Sequence, residues 1–189
     1  MAAELFTGPF PAELATPRLR LRKGREDDLD AIWRNVWSDA SLAETMLWTP
    51  TLTREDAEAR MTRTLAYQAG YPAYFVCLRN TDEPIGFAGV WEKAPGAWEE
   101  SGICVAAAHQ GRGYGHELLA ALVRLVFADF GGTVFRYECF RGNIRSASLC
   151  RGLGFMYRSS ADGIRERDGY RYVCDTYELT REMWKQSYC

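Results

Sequence analysis

Residues 105–117 read VAAAHQGRGYGHE, and the residue types in this stretch decide the fold. An apolar run, Trp98 to Val105, ends in it, and a strongly apolar segment, His116 to Phe130, begins. Between the two, Gly111, Gly113 and Gly115 alternate with other residues. Glycine permits positive φ and leaves no Cβ between backbone and ligand. Successive N–H groups can then converge on one anion, reinforced by the N-terminus of the following helix. Arg112 adds a permanent positive charge suited to phosphate. The stretch therefore reads as strand, pyrophosphate cradle and helix. Its spacing is G-x-G-x-G, unlike the G-x-G-x-x-G of a dinucleotide fold, and it lacks the Gly-Lys-Ser/Thr of a P-loop. A glycine turn with a purely structural role is the competing reading.

Outward from the cradle, Gly131-Gly132 stops the helix and Thr133–Phe140 is a further strand. Strand, crossover helix and strand predict a parallel pair. Upstream, Ala73–Leu78, Ile85–Trp91 and Trp98–Val105 are compact apolar runs joined by short turns, which predicts an antiparallel meander. Before them, Leu19 and Leu21 alternate with Arg18, Arg20 and Arg22 in a short strand. A helix follows with Leu29, Ile32, Trp33, Val36 and Trp37 on one stripe. Thr53 is the expected N-cap of a second helix, with Glu55 and Asp56 in its first turn and Ala57, Met61 and Leu65 facing inward. Downstream come a short helix, Asn143–Arg151, and two strands near Phe155–Ser160 and Tyr170–Leu179 around a polar loop, Asp162–Asp168. The fold class is α/β with a mixed sheet, in the order β-α-α-β-β-β-α-β-α-β-β. Residues 1–16 are expected to form an irregular arm, and 17–189 a single domain.

The 189 residues are enough for one domain with a substantial core. With 23 basic and 25 acidic side chains the net charge is −2, which gives no support to binding nucleic acid or an anionic membrane. The six cysteines form no CxxC and only His109 and His116 could join them, so no metal site is expected. Cys77, Cys104 and Cys139 sit in strand-like runs and read as buried apolar side chains in a reducing compartment. The first residues lack the basic-then-apolar pattern of a secretory signal, and no apolar stretch approaches membrane-spanning length. A cytoplasmic protein is expected.

A second segment carries chemistry. Residues 143–155 read NIRSASLCRGLGF. Taken alone, Asn143 is a candidate helix N-cap and Ser146 a first-turn residue. Together the two segments resemble the GNAT family of N-acetyltransferases. The family's Gln/Arg-x-x-Gly-x-Gly/Ala is met by Gln110, Gly113 and Gly115. Its Asn-x-x-(Ala/Ser)-x-x-Leu with a later Gly-Phe is met by Asn143, Ser146, Leu149, Gly154 and Phe155. The resemblance implies acetyl-CoA as acyl donor. Gln110, Gly111, Arg112, Gly113, Tyr114 and Gly115 would then hold the pyrophosphate. The central parallel strands would splay, and the backbone of Ile103, Cys104 and Val105 would bond the pantetheine arm, with Asn143 close to the thioester. Many relatives place a tyrosine at the position of Cys150 to protonate the departing thiolate. Cysteine is shorter and a weaker donor, which moves the acid role to Ser146. The Asn-x-x-Ser variant resembles the Rim-type branch, which acetylates the N-termini of ribosomal proteins. Pro17–Arg22 and, with one residue of offset, Asp175 to Trp184 resemble that branch as well.

The implied reaction is direct attack of a neutral primary amine on a thioester, governed by positioning and by a donor for the developing oxyanion, such as the N–H of Val105. An α-amino group with pKa about 8 gives up its proton at pH 7 for roughly 1.4 kcal/mol, whereas a lysine requires about 5. Glu100 is the first choice of base, placed by strand alternation on one face with Gly102 and Cys104. Glu92, Glu99 and Glu138 are weaker choices. Glu117 fits the first turn of its helix. His109 and His116 fit exposed or phosphate-proximal roles. The expected partner is an amine acceptor, with a protein N-terminus ahead of a small amine such as an antibiotic, toxin or polyamine; a homodimer is compatible with the reading. A non-catalytic acyl-CoA-binding module and an unrelated nucleotide-binding domain are the alternatives. Loops near 40–52 and 160–170 would receive the acceptor. Met46, Leu47, Trp48 and Trp91 would form an apolar wall, while Glu44 and Glu92 would attract a cation.

Overall fold

The computed structural model describes residues 5–188. Its strands are β1 (Glu13–Ala15), β2 (Leu19–Arg22), β3 (Ala73–Leu78), β4 (Pro84–Ala94), β5 (Ala97–Val105), β6 (Val134–Phe140), β7 (Met156–Arg165) and β8 (Tyr170–Thr180). They form one sheet in the order β1-β2-β3-β4-β5-β6-β8-β7. Only β5 and β6 pair in parallel; every other neighbour is antiparallel. The mixed α/β fold is the one expected.

The helices are α1 (Leu29–Ile32, continued by a π turn, Trp33–Trp37), α2 (Ala40–Ala43), α3 (Arg54–Gly70), α4 (Tyr114–Arg124, continued by a π turn, Leu125–Asp129), α5 (Ile144–Gly152) and α6 (Arg181–Tyr188). Thr53 caps α3 by accepting the Asp56 N–H at 3.1 Å, as its position suggests. The central strands read as unbroken apolar runs because helices cover both faces. On one face Phe75 packs against Trp37 of α1, with ring centroids 6.0 Å apart. On the other, Leu118, Leu119, Leu122 and Val123 of α4 are buried, and Trp98 stacks on Phe130 at 4.7 Å.

Two expectations are corrected and two helices are added to them. The arm over 1–16 is not irregular throughout: Glu13–Ala15 pairs with β2, and Phe6 and Phe10 pack on Phe130 at 4.7 and 5.6 Å. Residues 1–4 lie outside the described residues. Helix α2 is too short to show periodicity; Asp39 holds it by accepting the Ser41 N–H at 2.9 Å. Helix α6 is mostly polar and follows β8 without a turn signal. The polar stretch Asp162–Asp168 is not a loop throughout: β7 runs to Arg165 and turns at Gly169, whose φ is 71°. Polarity misleads there because β7 is an edge strand with most side chains in solvent.

No helix among the described residues is long and apolar enough to cross a membrane. Cys77, Cys104, Cys139 and Cys150 are buried and free.

The turn before β6 is tight. A Cβ at Gly132 would meet Val126 Cγ1 at 2.7 Å and Trp98 Cδ1 at 2.8 Å. Gly132→Ala should therefore cost about 1–3 kcal/mol of stability by overpacking. The measurement is a urea melt, with a lower midpoint at unchanged slope. Gly142→Ala, where a Cβ meets nothing within 4 Å, is the neutral control.

Candidate active site

Strands β5 and β6 pair only at Ala97–Val134, Trp98–Phe135 and Glu99–Arg136. Beyond that point they part, and the rest of β5 has an edge without a strand. The Ala106 N–H donates to Ile85 O at 2.7 Å. Antiparallel pairs alternate between bonded and non-bonded. Hence the Gly86–Val105 and Ala88–Ile103 pairs are non-bonded, and Val105 and Ile103 turn their backbone groups into the splay. Cys104, paired with Phe87 between them, turns its own toward β4. Of the three backbone donors expected, Ile103 and Val105 are available and Cys104 is not. The Val105 carbonyl is already taken by Gln110 Nε2 at 3.0 Å, leaving its N–H.

An extra residue in β5 changes which side chains share a face. Val90 pairs with Glu100 and Ala88 with Ile103, so three steps on β5 match two on β4. The bulge falls at Ser101-Gly102, where Gly102 has φ 112°. Glu100 therefore lies on the face of Ile103 and Val105, not that of Cys104, which corrects the simple alternation.

The cradle is built as the glycine spacing suggests. Gly111 and Gly113 have φ of 75° and 79°, and Gly113 is the N-cap of α4. The amides from Gly111 to Gly115 make no hydrogen bond within the described residues. Tyr114 and Gly115 belong to the first turn of α4, whose N–H groups have no intrahelical acceptor. A Cβ at Gly111 would meet nothing within 4 Å, and one at Gly115 would meet Leu149 of α5 at 3.4 Å. Gly111 thus leaves open space, while Gly115 lets α5 close on α4. Arg112 Nη2 donates to Ala108 O at 3.1 Å and the side chain is exposed. Gln110 braces the loop, since its Oε1 accepts Arg145 Nη1 at 2.8 Å. Arg18 ties the cradle to β2: it donates to Arg112 O at 2.8 Å and lies 4.8 Å over the Tyr114 ring. Glu117 accepts from Thr16 Oγ1 at 2.5 Å and from Arg18 Nε at 2.6 Å, a structural post as expected.

Helix α5 borders the other side of the splay. Asn143 caps it, Oδ1 accepting the Ser146 N–H at 3.1 Å. Ser146 Oγ lies 2.8 Å from the hydroxyl of Tyr137 on β6. Burial pushes the Tyr137 hydroxyl well above the ordinary range, so it stays protonated. Sequence reasoning missed Tyr137: it reads as one more core aromatic in a strand, and only the β6–α5 turn brings it to Ser146. Cys150 is fully buried, donates to Ala147 O at 3.3 Å, and burial pushes its thiol up to about 12.

The carboxylates separate clearly. Glu99 is buried and bonded to Lys93 Nζ at 3.0 Å, with Arg136 at 3.6 Å. Glu92 holds the Ala94–Gly96 turn by accepting the Gly96 N–H at 2.6 Å, and Glu138 is exposed and accepts from Thr176 at 3.1 Å. Glu100 stands where the strands part, with no cationic partner among the described residues. It accepts from the Gly102 N–H, and the Glu138 backbone N–H also reaches it. Desolvation, aided by the like charges of Glu138 and Glu99, pushes it up to about 7. His116 is exposed, and His109 Nδ1 is buried without a partner among the described residues.

A cavity of about 640 Å³ opens beside the bulge, lined by Trp37, Trp48, Arg60, Arg63, Ser101 and Gly102 among others. The segments 40–52 and 160–170 touch each other, but only the first contributes residues to the cavity. Arg165 of β7 donates to Glu44 O at 2.7 Å, and Arg167 to Ala43 O at 2.8 Å and to Trp48 O. Of the expected apolar wall, Trp48 lines this cavity, whereas Met46, Leu47 and Trp91 do not, nor do Glu44 and Glu92. Among the described residues no group of three or more His, Cys, Asp or Glu could hold a metal ion.

A split parallel pair, an anion cradle at a helix N-terminus and an adjoining open cavity define an acyl-CoA-dependent transferase. The model of the acetyltransferase (GNAT) domain matches residues 18–156, and the chain belongs to that family. It is an acetyltransferase that uses acetyl-CoA for N-acetylation. The fold is similar to an acetyltransferase of the GNAT family from Bacillus anthracis, at 16% identity and TM-score 0.78 over 90% of this chain and 99% of that one. It is also similar to a Vibrio cholerae protein provisionally described as a ribosomal-protein-serine acetyltransferase, at 21% identity and TM-score 0.74, covering 89% and 97%. The microcin C7 self-immunity acetyltransferase MccE, whose structure holds acetyl-CoA and AMP, aligns at 13% identity and TM-score 0.73, covering 87% and 93%. No curated protein matches the sequence.

The residues present fit acetyl-CoA: unbonded cradle amides suit its pyrophosphate, and the open β5 edge suits its amide-bearing arm. Gly113→Asp should raise the Kd for coenzyme A at least about tenfold by placing a like charge in the cradle. Calorimetric titration of the folded variant measures it, and an unchanged Kd would remove the cradle assignment. Gly70→Asp, at an open site on α3, should bind as the parent does.

Proposed function

We propose that the acceptor is the α-amine of a protein N-terminus, with Glu100 as the base, the Val105 N–H as oxyanion donor, and Ser146 as the acid backed by Tyr137. The observation that carries the reading is the carboxylate of Glu100, desolvated where β5 and β6 part and pushed up to about 7. A base of that strength suits an amine of pKa about 8; taking a proton from a lysine would be uphill by about 5 kcal/mol. The similarity to the Vibrio cholerae protein points the same way.

Acetyl-CoA supplies an acetyl thioester. The protein's residues then have three tasks. Glu100 accepts a proton from the incoming ammonium. The Val105 N–H, turned into the splay, stabilises the negative charge that grows on the thioester oxygen. Ser146 hands its proton to the departing sulfur and takes in exchange the second proton that the acylated nitrogen sheds. When Tyr137 donates to Ser146 Oγ across 2.8 Å, the serine proton is left free for that transfer. Cys150 is too buried to compete. Asn143 fixes Ser146 by capping its helix, and Gln110 holds the end of β5 that carries Val105.

The test uses the pH profile. With Glu100 present, only its own ionisation must be complete, so kcat/KM should rise with pH and level off above about 7. In Glu100→Gln the amine must arrive neutral, so the midpoint should move to about 8, with kcat/KM at pH 7 lower by about 10²-fold. A profile identical to the parent's would remove Glu100 from the mechanism. Ser146→Ala should lower kcat by about 10–10²-fold with little change in KM, and Tyr137→Phe should lower it less, since Ser146 keeps its own proton. Steady-state thiol release with a peptide acceptor reads both.

A further inference from the structure

We infer that the acceptor carries an anionic group, a carboxylate or a phosphate a few bonds beyond its amine, and that Arg60 and Arg63 of α3 receive it. The inference rests on the acetyl-transfer reading of the site and specifies the acceptor further.

The cavity joins two chemically different ends. One end is Ser101-Gly102, the strand bulge that directly follows Glu100 in β5; Glu100 itself does not line the cavity. The other is α3, which contributes Asp56, Arg60, Arg63, Thr64 and Tyr67. Arg60 and Arg63 are one turn apart and therefore share a helix face.

Arg60 is held as a receptor would be. Its guanidinium lies 4.8 Å from the Trp37 ring and 4.7 Å from the Trp48 ring. Among the described residues its one hydrogen bond is from Nη1 to Thr51 Oγ1 at 3.0 Å. Guanidinium has five N–H donors, so most of its fork is unused. No carboxylate lies within ion-pair distance of Arg60 or Arg63 among the described residues, although Arg54 on the same helix pairs with Asp30 at 2.9 Å and Glu58 at 3.0 Å. Asp56 is the one acid lining the cavity, and it is turned to its capping partner, accepting from Thr53 Oγ1 at 2.7 Å. The indole N–H of Trp48 is a further buried donor without an acceptor among the described residues. Burial without a counter-charge weakens the hold of Arg60 on its proton, down to about 10. A partly desolvated cation of this kind is costly to keep, and an anion that docks on it recovers charge-assisted bidentate bonds.

Two sources can supply the anion: an acidic side chain near a protein N-terminus, or the carboxylate or phosphate of a small amine. Matched acceptors separate them. One pair of peptides differs only by Asp or Asn at the second residue, and another by Asp or Asn at the third. A small pair consists of an amino acid and its amide. The parent should favour the acidic member of at least one pair by about tenfold or more in kcat/KM, the scale of one bidentate contact. In Arg60→Gln that preference should fall to within about threefold, the acidic member losing more than the neutral one; Arg60→Lys should retain part of it. Arg63→Gln, an exposed change that leaves the core untouched, should lower the preference as well, whereas Arg124→Gln on α4 should not. Equal kcat/KM for acidic and neutral members in the parent would overturn the inference, as would equal losses for both in Arg60→Gln. Preference confined to the small pair would uphold the inference and refute the N-terminal reading. Acetylated peptides without preference would do the reverse. If no pair turns over, tryptophan fluorescence titration with the same acceptors reads the affinity difference, and equal affinities overturn the inference.

Discussion

The parting of β5 from β6 after Glu99–Arg136 is the constraint on which everything else depends. A parallel pair in a sheet covered on both faces ordinarily satisfies its backbone groups along its whole length. Here the satisfaction stops after three residue pairs. The groups of Ile103 and Val105 are left facing a gap, and a gap lined by unbonded amides suits a ligand that carries amides of its own. The sheet tolerates this because both strands are held from outside. β4 bonds β5 on its far edge, β8 bonds β6 along all seven residues, and α4 and α5 close over the crossover.

Two adjacent glutamates show how finely the parting divides the environment. Glu99 is the last residue of β5 paired with β6 and has Lys93 and Arg136 beside it. Glu100 is the first without a partner on β6 and has neither cation. A desolvated acid without a cation beside it is pushed toward neutrality, as Glu100 is. The sign of the stability effect follows. The folded-state pKa of Glu100 lies above its ordinary value, so the fold binds its proton better than the unfolded chain does. That stability is fully present at low pH and is lost as pH rises through about 7. The protein therefore gives up stability in the range where an ionised Glu100 can act as a base.

Legibility in the sequence followed the kind of atom that does the work. The donor side is made of backbone, and backbone conformation leaves a signature in glycine spacing: Gly111, Gly113 and the capping Asn143 stand as their types suggest. What disturbed the reading there was the bulge at Ser101-Gly102, because a single extra residue in a strand reverses which side chains share a face. Tyr137 escaped notice for a related reason. Nine positions separate it from Ser146, and only tertiary packing closes the distance to 2.8 Å. Helices α2 and α6 escaped because one is four residues long and the other is polar on most of its surface.

The cavity that we propose receives the acceptor is made of side chains drawn from distant segments. Glu44 and Glu92 suggested a cation site from their positions in loops, yet Glu92 is spent on the Ala94–Gly96 turn and neither lines the cavity. The charges that do line it, Arg60 and Arg63, sit inside a helix whose other arginine on view, Arg54, forms ordinary surface pairs. Nothing in the sequence distinguishes them. The difference lies in Trp48, which reaches Arg60 because Arg165 and Arg167 of the β7–β8 hairpin hold the carbonyls of its loop. A hairpin at one edge of the sheet thus sets the electrostatics of a cavity near its middle. On the proposed reading, a change in the hairpin alone would alter the acceptor preference of this protein, with the cradle and the splay left intact.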